Sequence, residues 1–161
     1  MIKKVGILTA GGDCPGLNAV VRGIVKTAEY NGIETYGFLE GYKGLLENRL
    51  IKLDSYVTSG ILRKGGTILG SNNKTNTFAI PVKNEKGEVA YVDKSFEIAD
   101  RLRDEGFDAL IVIGGDGSLK SARDYMRRGL NVIGVPKTID NDVPYTDVTF
   151  GFNTAMNVAT E

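Results

Sequence analysis

Twice in 161 residues a short apolar run stops at Gly-Gly-Asp and an amphipathic stretch follows, and this repetition restricts the fold more than any other feature. Val5-Gly6-Ile7-Leu8-Thr9 is closed by Gly11-Gly12-Asp13, after which Leu17, Val20, Val21, Ile24 and Ala28 recur at helical spacing up to Gly32. Ala109-Leu110-Ile111-Val112-Ile113 is closed by Gly114-Gly115-Asp116-Gly117. Ser118 is then placed to cap a helix carrying Leu119, Ala122 and Met126, Gly129 stops that helix, and Asn131 to Val135 forms another strand. Between the two units, Glu34 to Leu39 reads as a strand, and Asp93 or Ser95 caps a helix running through Glu105. Such alternation predicts an α/β fold: a doubly wound, mostly parallel sheet with helices on both faces and function at the carboxyl ends of the strands. The stretch from Tyr42 to Lys94 is less regular and predicts an excursion from the main sheet, with Lys83-Asn84-Glu85-Lys86-Gly87-Glu88 as a solvated hairpin tip.

Composition removes whole classes of function. Twenty Lys and Arg balance twenty Asp and Glu, so the excess positive charge needed for nucleic acid or an anionic membrane is missing. No His is present, which excludes a Ser-His-Asp arrangement and imidazole zinc sites and leaves acid–base work to Asp, Glu, Lys or Tyr. The lone Cys14 cannot form an internal disulfide, and a cytoplasmic location follows as the expectation. The run Val5 to Ala10 is too short for a signal sequence, and no stretch approaches the roughly 20 apolar residues of a membrane span. Asn153 to Glu161 reads as a helix begun without a stop, which predicts a fragment of a longer chain. Glycine is the one excess: 21 residues, about 13% against about 7% in ordinary proteins, many of them paired at the ends of apolar runs.

Those glycines mark the chemistry. Gly11-Gly12-Asp13-Cys14-Pro15-Gly16 lies between a strand and a helix, where backbone N–H groups and the helix dipole favour a phosphate; a tight turn without a ligand is the other reading. Neither G-x-x-x-x-G-K-[ST] nor G-x-G-x-x-G occurs in the chain. Gly114-Gly115-Asp116-Gly117-Ser118 adds a carboxylate beside backbone donors, which suits Mg²⁺ shared with phosphate oxygens or, alternatively, a simple helix cap. Pro136-Lys137-Thr138-Ile139-Asp140-Asn141-Asp142 supplies a cation, a hydroxyl and two carboxylates at a third strand end, or else a solvated turn. In a chain without His, an Asp next to a substrate hydroxyl is the candidate base, and Lys137 is the candidate partner for charge on a transferring phosphoryl group. Gly65-Gly66-Thr67-Ile68-Leu69-Gly70-Ser71-Asn72-Asn73-Lys74 reads as a phosphate clamp or a plain loop. Cys14 has nothing but its own loop to lower its pKa and reads as a tolerated small residue; the tyrosines carry no assigned role.

Taken together, these segments resemble the 6-phosphofructokinase family in order and spacing. Gly11-Gly12-Asp13-Cys14-Pro15-Gly16-Leu17-Asn18-Ala19 is similar to the family's first nucleotide-phosphate loop, Gly66-Thr67-Ile68-Leu69-Gly70-Ser71 to its second phosphate segment, and Gly114 to Ser118 to its magnesium loop. Pro136 to Asp142 is similar to its catalytic signature. The resemblance runs from residue 2 to the last residue and covers about the first half of a family chain. It implies a Rossmann-like N-terminal domain, residues 1–161, that binds the phosphoryl donor, and transfer from ATP to the 1-hydroxyl of fructose 6-phosphate, giving fructose 1,6-bisphosphate in glycolysis.

Residue by residue, the resemblance makes Asp140 the general base, with Lys137 as the second catalytic group. Thr138, Ile139, Asp140 and Asp142 would hold the sugar phosphate, Asp116 would hold Mg²⁺, and Gly12, Lys74, Thr75, Gly115, Asp116, Gly117 and Ser118 would line the ATP site. Donor choice turns on two positions. Gly117 resembles the ATP users, because the Asp found there in pyrophosphate users would repel an α-phosphate; Lys137 resembles the pyrophosphate users. One family branch combines both and is generally ATP-dependent, so ATP is expected and pyrophosphate is the alternative. Where many members have Arg after the second phosphate segment, this chain has Asn72-Asn73-Lys74, with Lys74 as a point cation. NAD kinase and diacylglycerol kinase relatives share the glycine loop but not Thr-Ile-Asp-Asn-Asp. An inactive nucleotide-binding half-domain is the reading from outside the enzymes. Sites formed between subunits imply a homo-oligomer, dimer or tetramer.

Overall fold

The computed structural model describes residues 1–84 and 87–161. The first apolar run forms β1 (Lys4–Thr9) and the amphipathic stretch behind it α1 (Leu17–Tyr30); β2 (Glu34–Phe38), a short α2 (Tyr42–Glu47) and β3 (Leu50–Leu53) follow. The expected excursion from the main sheet starts later than Tyr42, because β3 pairs with β2 inside that sheet; only beyond it comes a separate antiparallel hairpin, β4 (Ile80–Lys83) with β5 (Val89–Val92). Of its tip, Glu85 and Lys86 lie outside the described residues. Then come α3 (Ser95–Asp104), β6 (Ala109–Gly114), α4 (Asp116–Arg127), β7 (Val132–Thr138), a two-residue β8 (Phe150–Gly151) and α5 (Phe152–Thr160).

Six strands make one sheet in the order β3-β2-β1-β6-β7-β8. All neighbours are parallel except β2 and β3. From the central pair β1 and β6 the two units run outward in opposite directions, β1-α1-β2 one way and β6-α4-β7 the other. Because such crossovers are right-handed, α1 and α4 must lie on opposite faces. The alternation within β1 shows this. Ile7 faces Leu17, Val21 and Val25 of α1, while the next residue, Leu8, faces the cluster built from Ile98 and Leu102 of α3 and Ala122 and Tyr125 of α4. Each of the buried Leu, Ile and Val side chains contributes roughly 1.5–3 kcal/mol, so the sheet is held from both sides, as expected for a doubly wound fold. The reversal between β1 and β6 also creates a crevice at their carboxyl ends, the place where ligands bind in open α/β sheets.

Three sequence-based boundaries shift. The N-cap of α3 is Lys94, not Asp93 or Ser95, and the helix ends at Asp104; Asp93 Oδ1 accepts the N–H of Ser95, the first residue of the helix, at 2.8 Å. Ser118 lies inside the first turn of α4, whose N-cap is Gly115. The third strand continues past Val135, so that Pro136, Lys137 and Thr138 belong to β7. Among the described residues no helix is long and apolar enough to cross a membrane.

Candidate active site

Parallel register sets the glycine loops side by side. Thr9 stands opposite Ile113 and Gly114 opposite Pro136, so the chain leaves β1, β6 and β7 at one level around a cleft of about 560 Å³. Gly12, Gly115, Asp116, Gly117, Ser118, Thr75, Lys137, Thr138, Ile139 and Asp140 all line it. Gly11 adopts a left-handed φ of 82°, and a Cβ there would lie 3.5 Å from both the Lys137 Nζ and the Ser118 Oγ. Gly114 has no room at all: its Cβ would come within 2.5 Å of the Ser118 Cβ. The bare backbone at these two points lets α4 begin directly on the strand end, and the residues of its first turn, where helical N–H groups lack partners, line the cleft.

Lys137 joins the third segment to the first. It is only 4% exposed, and its Nζ donates to the Gly12 carbonyl. Burial pushes the ammonium below its ordinary pKa, against the opposing pull of Cys14 and Asp13. Cys14 is buried beneath the same loop, its Sγ directed at the Phe150 carbonyl at 3.6 Å. Burial raises its thiol pKa, Lys137 counteracts this, and Asp13 and Asp140 add to it; such a thiol is a packing group, not a nucleophile.

Asp140 sits on the turn that leaves β7. Its N–H donates to the Thr138 Oγ1 at 3.1 Å, and that hydroxyl lies 3.3 Å from the Asp140 Oδ2. Buried Thr149 closes the turn from behind: its hydroxyl donates to the Thr138 carbonyl at 2.8 Å and its N–H to the Asn141 Oδ1 at 2.9 Å. Asn141 itself has a φ of 52°, a left-handed conformation that Asn tolerates better than most residues. The Asp140 carboxylate is thereby exposed in the cleft on a turn fixed by its neighbours.

The segment from Gly65 to Ser71 is pinned by two polar side chains of the first unit. Buried Asn18 donates to the Lys64 and Gly65 carbonyls at 3.1 and 3.2 Å and accepts the Ile68 N–H at 2.8 Å. Thr9, also buried, donates to the Gly70 carbonyl at 2.7 Å and meets the Thr67 hydroxyl at 3.0 Å. Beyond it Asn72, Asn73, Thr75 and Asn76 line the cleft together with Tyr42, forming one wall. Lys74 is exposed and outside the lining, its N–H, like that of Thr75, bound to the Asn72 Oδ1 at 2.9 Å. Asp142 is likewise exposed and outside it. Reasoning from sequence missed Tyr42, whose hydroxyl donates to the Ser118 carbonyl at 2.8 Å, as well as Asn76 and Ser121, which complete the lining. Asn18 figures there only as part of the first loop's motif, with no role, although a polar residue between Leu17 and Val21 on the buried side of α1 was a visible signal.

Among the described residues no group of three or more His, Cys, Asp and Glu could hold a metal alone. What the cleft offers is the exposed Asp116 carboxylate at the start of α4, paired with Lys120 at 2.6 Å. That donor set fits Mg²⁺, which keeps several waters and takes one carboxylate plus substrate phosphates, and an exposed i,i+4 pair worth a few tenths of a kcal/mol is readily exchanged.

Fold and cleft together define a doubly wound α/β protein with glycine loops and three carboxylates, Asp13, Asp116 and Asp140, gathered at its topological switch point. The sequence model of the family described as phosphofructokinase matches residues 4–161, and the chain belongs to that family. ATP-dependent 6-phosphofructokinase 2 of Clostridium perfringens is 58% identical over 161 residues, covering 99% of this chain and 44% of that protein. ATP-dependent 6-phosphofructokinase 3 of Streptomyces coelicolor is 49% identical over 160 residues, covering 98% of this chain and 43% of that one. The chain therefore spans under half the length of these curated relatives. Among solved structures, Pichia pastoris phosphofructokinase in the T-state superposes with a TM-score of 0.81 at 31% identity, over 97% of this chain and 17% of that one. A pyrophosphate-dependent phosphofructokinase from Marinobacter aquaeolei gives a TM-score of 0.73 at 25% identity, over 99% of this chain and 40% of that one.

Proposed function

We propose that this chain is the donor-binding N-terminal domain, residues 1–161, of a longer ATP-dependent 6-phosphofructokinase that acts in the cytoplasm as a homo-oligomer and phosphorylates fructose 6-phosphate. The observation that carries the reading is the bond from the Lys137 Nζ to the Gly12 carbonyl, which ties the segment bearing Asp140 to the first glycine loop. Donor phosphates and an acceptor hydroxyl would then meet across a few ångströms. The names of the relatives support ATP as donor, and so does the open space in front of Gly117, where a Cβ would meet nothing within 4 Å.

Phosphoryl transfer depends on positioning and charge stabilisation more than on covalent chemistry. In this reading Gly11, Gly12 and the N–H groups at the start of α4 hold the β- and γ-phosphates. Thr138, Ile139 and Asp142 hold the sugar phosphate, with Asp142 reaching it from outside the present cleft lining. Asp140 accepts the proton of the sugar 1-hydroxyl as that oxygen bonds to the γ-phosphorus and the bond to the β–γ bridging oxygen breaks. Lys137 carries positive charge toward the phosphoryl group. Mg²⁺, held by Asp116, supplies charge neutralisation on the donor oxygens when bound. Lys74 is exposed outside the cleft lining, while Thr75 lines the site.

The test is coupled formation of fructose 1,6-bisphosphate with Mg²⁺ and either ATP or pyrophosphate, for the full-length protein and for its Asp140→Ala variant. Turnover with ATP, reduced by roughly 10²–10⁴ in the variant, is the expected result. Turnover with pyrophosphate alone would make Lys137 the better guide to the donor. No turnover with either, together with retained nucleotide binding, would replace the enzyme by a nucleotide-binding half-domain.

A further inference from the structure

The two halves of the cleft are held in different ways. Its phosphate-facing half rests on strand ends and a helix N-terminus. The opposite wall, Asn72 to Asn76 with Tyr42, belongs partly to an irregular stretch that contains no strand or helix between β3 and β4. One buried side chain fixes both parts of that wall. The Tyr125 hydroxyl donates to the Thr77 Oγ1 at 2.7 Å, and both residues are buried, so the polar pair is sealed from water. Thr77 ends the wall segment, and its carbonyl is also taken by the Lys94 N–H at 2.9 Å. The same Tyr125 ring stacks on Tyr42 with centroids 6.1 Å apart and planes 11° from parallel. Tyr42 in turn bonds the Ser118 carbonyl. Tyr125 itself does not line the cleft.

We infer that Tyr125 is a positioning residue for the half of the donor site that receives the nucleoside, acting through Thr77 on the asparagine wall and through ring stacking on Tyr42. The inference rests on the donor-site reading given above. A buried hydroxyl pair is a demanding way to fix a loop: losing one partner leaves the other unsatisfied, whereas losing both in isosteric form is close to neutral for stability. That asymmetry separates positioning from mere packing.

The experiment measures binding of ATP and of inorganic tripolyphosphate, which has the phosphate chain without the nucleoside, by calorimetry, together with Tm, for the protein, Tyr125→Phe, Thr77→Val and the double variant. Each single variant is expected to lower Tm and the double variant to recover most of it. ATP affinity is expected to fall about tenfold, the worth of one well-made hydrogen bond, in all three variants, including the double, while tripolyphosphate affinity stays unchanged. Recovery of ATP affinity along with Tm in the double variant, or equal weakening of both ligands, would overturn the inference and leave the donor-site reading standing. Equal affinity of the unmodified protein for the two ligands would overturn it as well, because the wall would then contribute nothing. Binding of neither ligand by the unmodified protein would overturn the donor-site reading and the inference with it.

Discussion

The two Gly-Gly-Asp units share a tripeptide and a strand direction yet build different things. After β1 the chain makes a seven-residue loop, Ala10 to Gly16, before α1 starts at Leu17, and Asp13 turns back on that loop to accept the Cys14 N–H at 2.9 Å. After β6 there is no loop: α4 starts at Asp116 immediately beyond Gly115, and the Asp116 carboxylate stands free at the helix N-terminus apart from exposed Lys120. Where the helix begins relative to the strand decides how the same acid is held. Both acids line the cleft, but the first is tied to its own loop backbone and the second only to an exposed lysine.

That contrast is open to attack by substitution. Asp116→Asn should lower turnover roughly a hundredfold or more, the scale of losing one preorganised charge contact, with the loss largest at limiting Mg²⁺. Asp13→Asn keeps an oxygen for the Cys14 N–H and should retain most of the activity in the same assay. Gly117→Asp should fold with a stability change within about 0.5 kcal/mol, because open space and a helix N-terminus both accept the carboxylate, yet weaken ATP roughly a hundredfold in a binding titration. Normal ATP affinity in that variant would remove Gly117 as a donor determinant. Gly114→Ala, forced against Ser118, should destabilise by about 1–3 kcal/mol in urea unfolding, whereas Gly12→Ala, with nothing within 4 Å, should stay within about 0.5 kcal/mol.

The smallest effect tests the opposite end of the two units. Asp108, just before β6, accepts the N–H groups of Lys3 and Lys4 at 2.7 and 3.0 Å, and these bonds hold its carboxyl below the ordinary value of 3.8. A folded pKa below the unfolded one stabilises the fold above the unfolded value, and the gain is lost as pH falls through the folded value. The urea midpoint of Asp108→Asn should therefore lie slightly below that of the unmodified protein at pH 7, with the gap closing under acid. An unchanged gap would show that the bonds owe nothing to the charge.

Much of this arrangement is legible in the sequence because periodicity and glycine placement are local signals. The units β1-α1 and β6-α4 follow from apolar spacing alone, and the gathering of Asp116, Lys137 and Asp140 follows once those strands are taken as parallel neighbours. Antiparallel β3 was not legible, since Leu50-Ile51-Lys52-Leu53 has no period that distinguishes it from its irregular surroundings. Nor was the two-residue β8, which exists only because β7 offers an edge. Ser118 has the composition of a cap, but the close approach of Gly114 lets the helix begin three residues earlier. The asparagine wall depends on a hydroxyl pair separated by 48 residues, which no local pattern encodes.

The pairing of β1 with β6 has a consequence for how the chain is made. Residues 4–9 occupy the middle of the sheet, but their second neighbour is residues 109–114, so one side of β1 stays unpaired while about a hundred further residues are synthesised. At roughly 5–20 residues per second that is an interval of roughly 5–20 s in which a bare, strongly apolar strand edge is open to any passing β-strand. The central strand that organises the finished cleft is, on the ribosome, the part of the chain in greatest need of a chaperone.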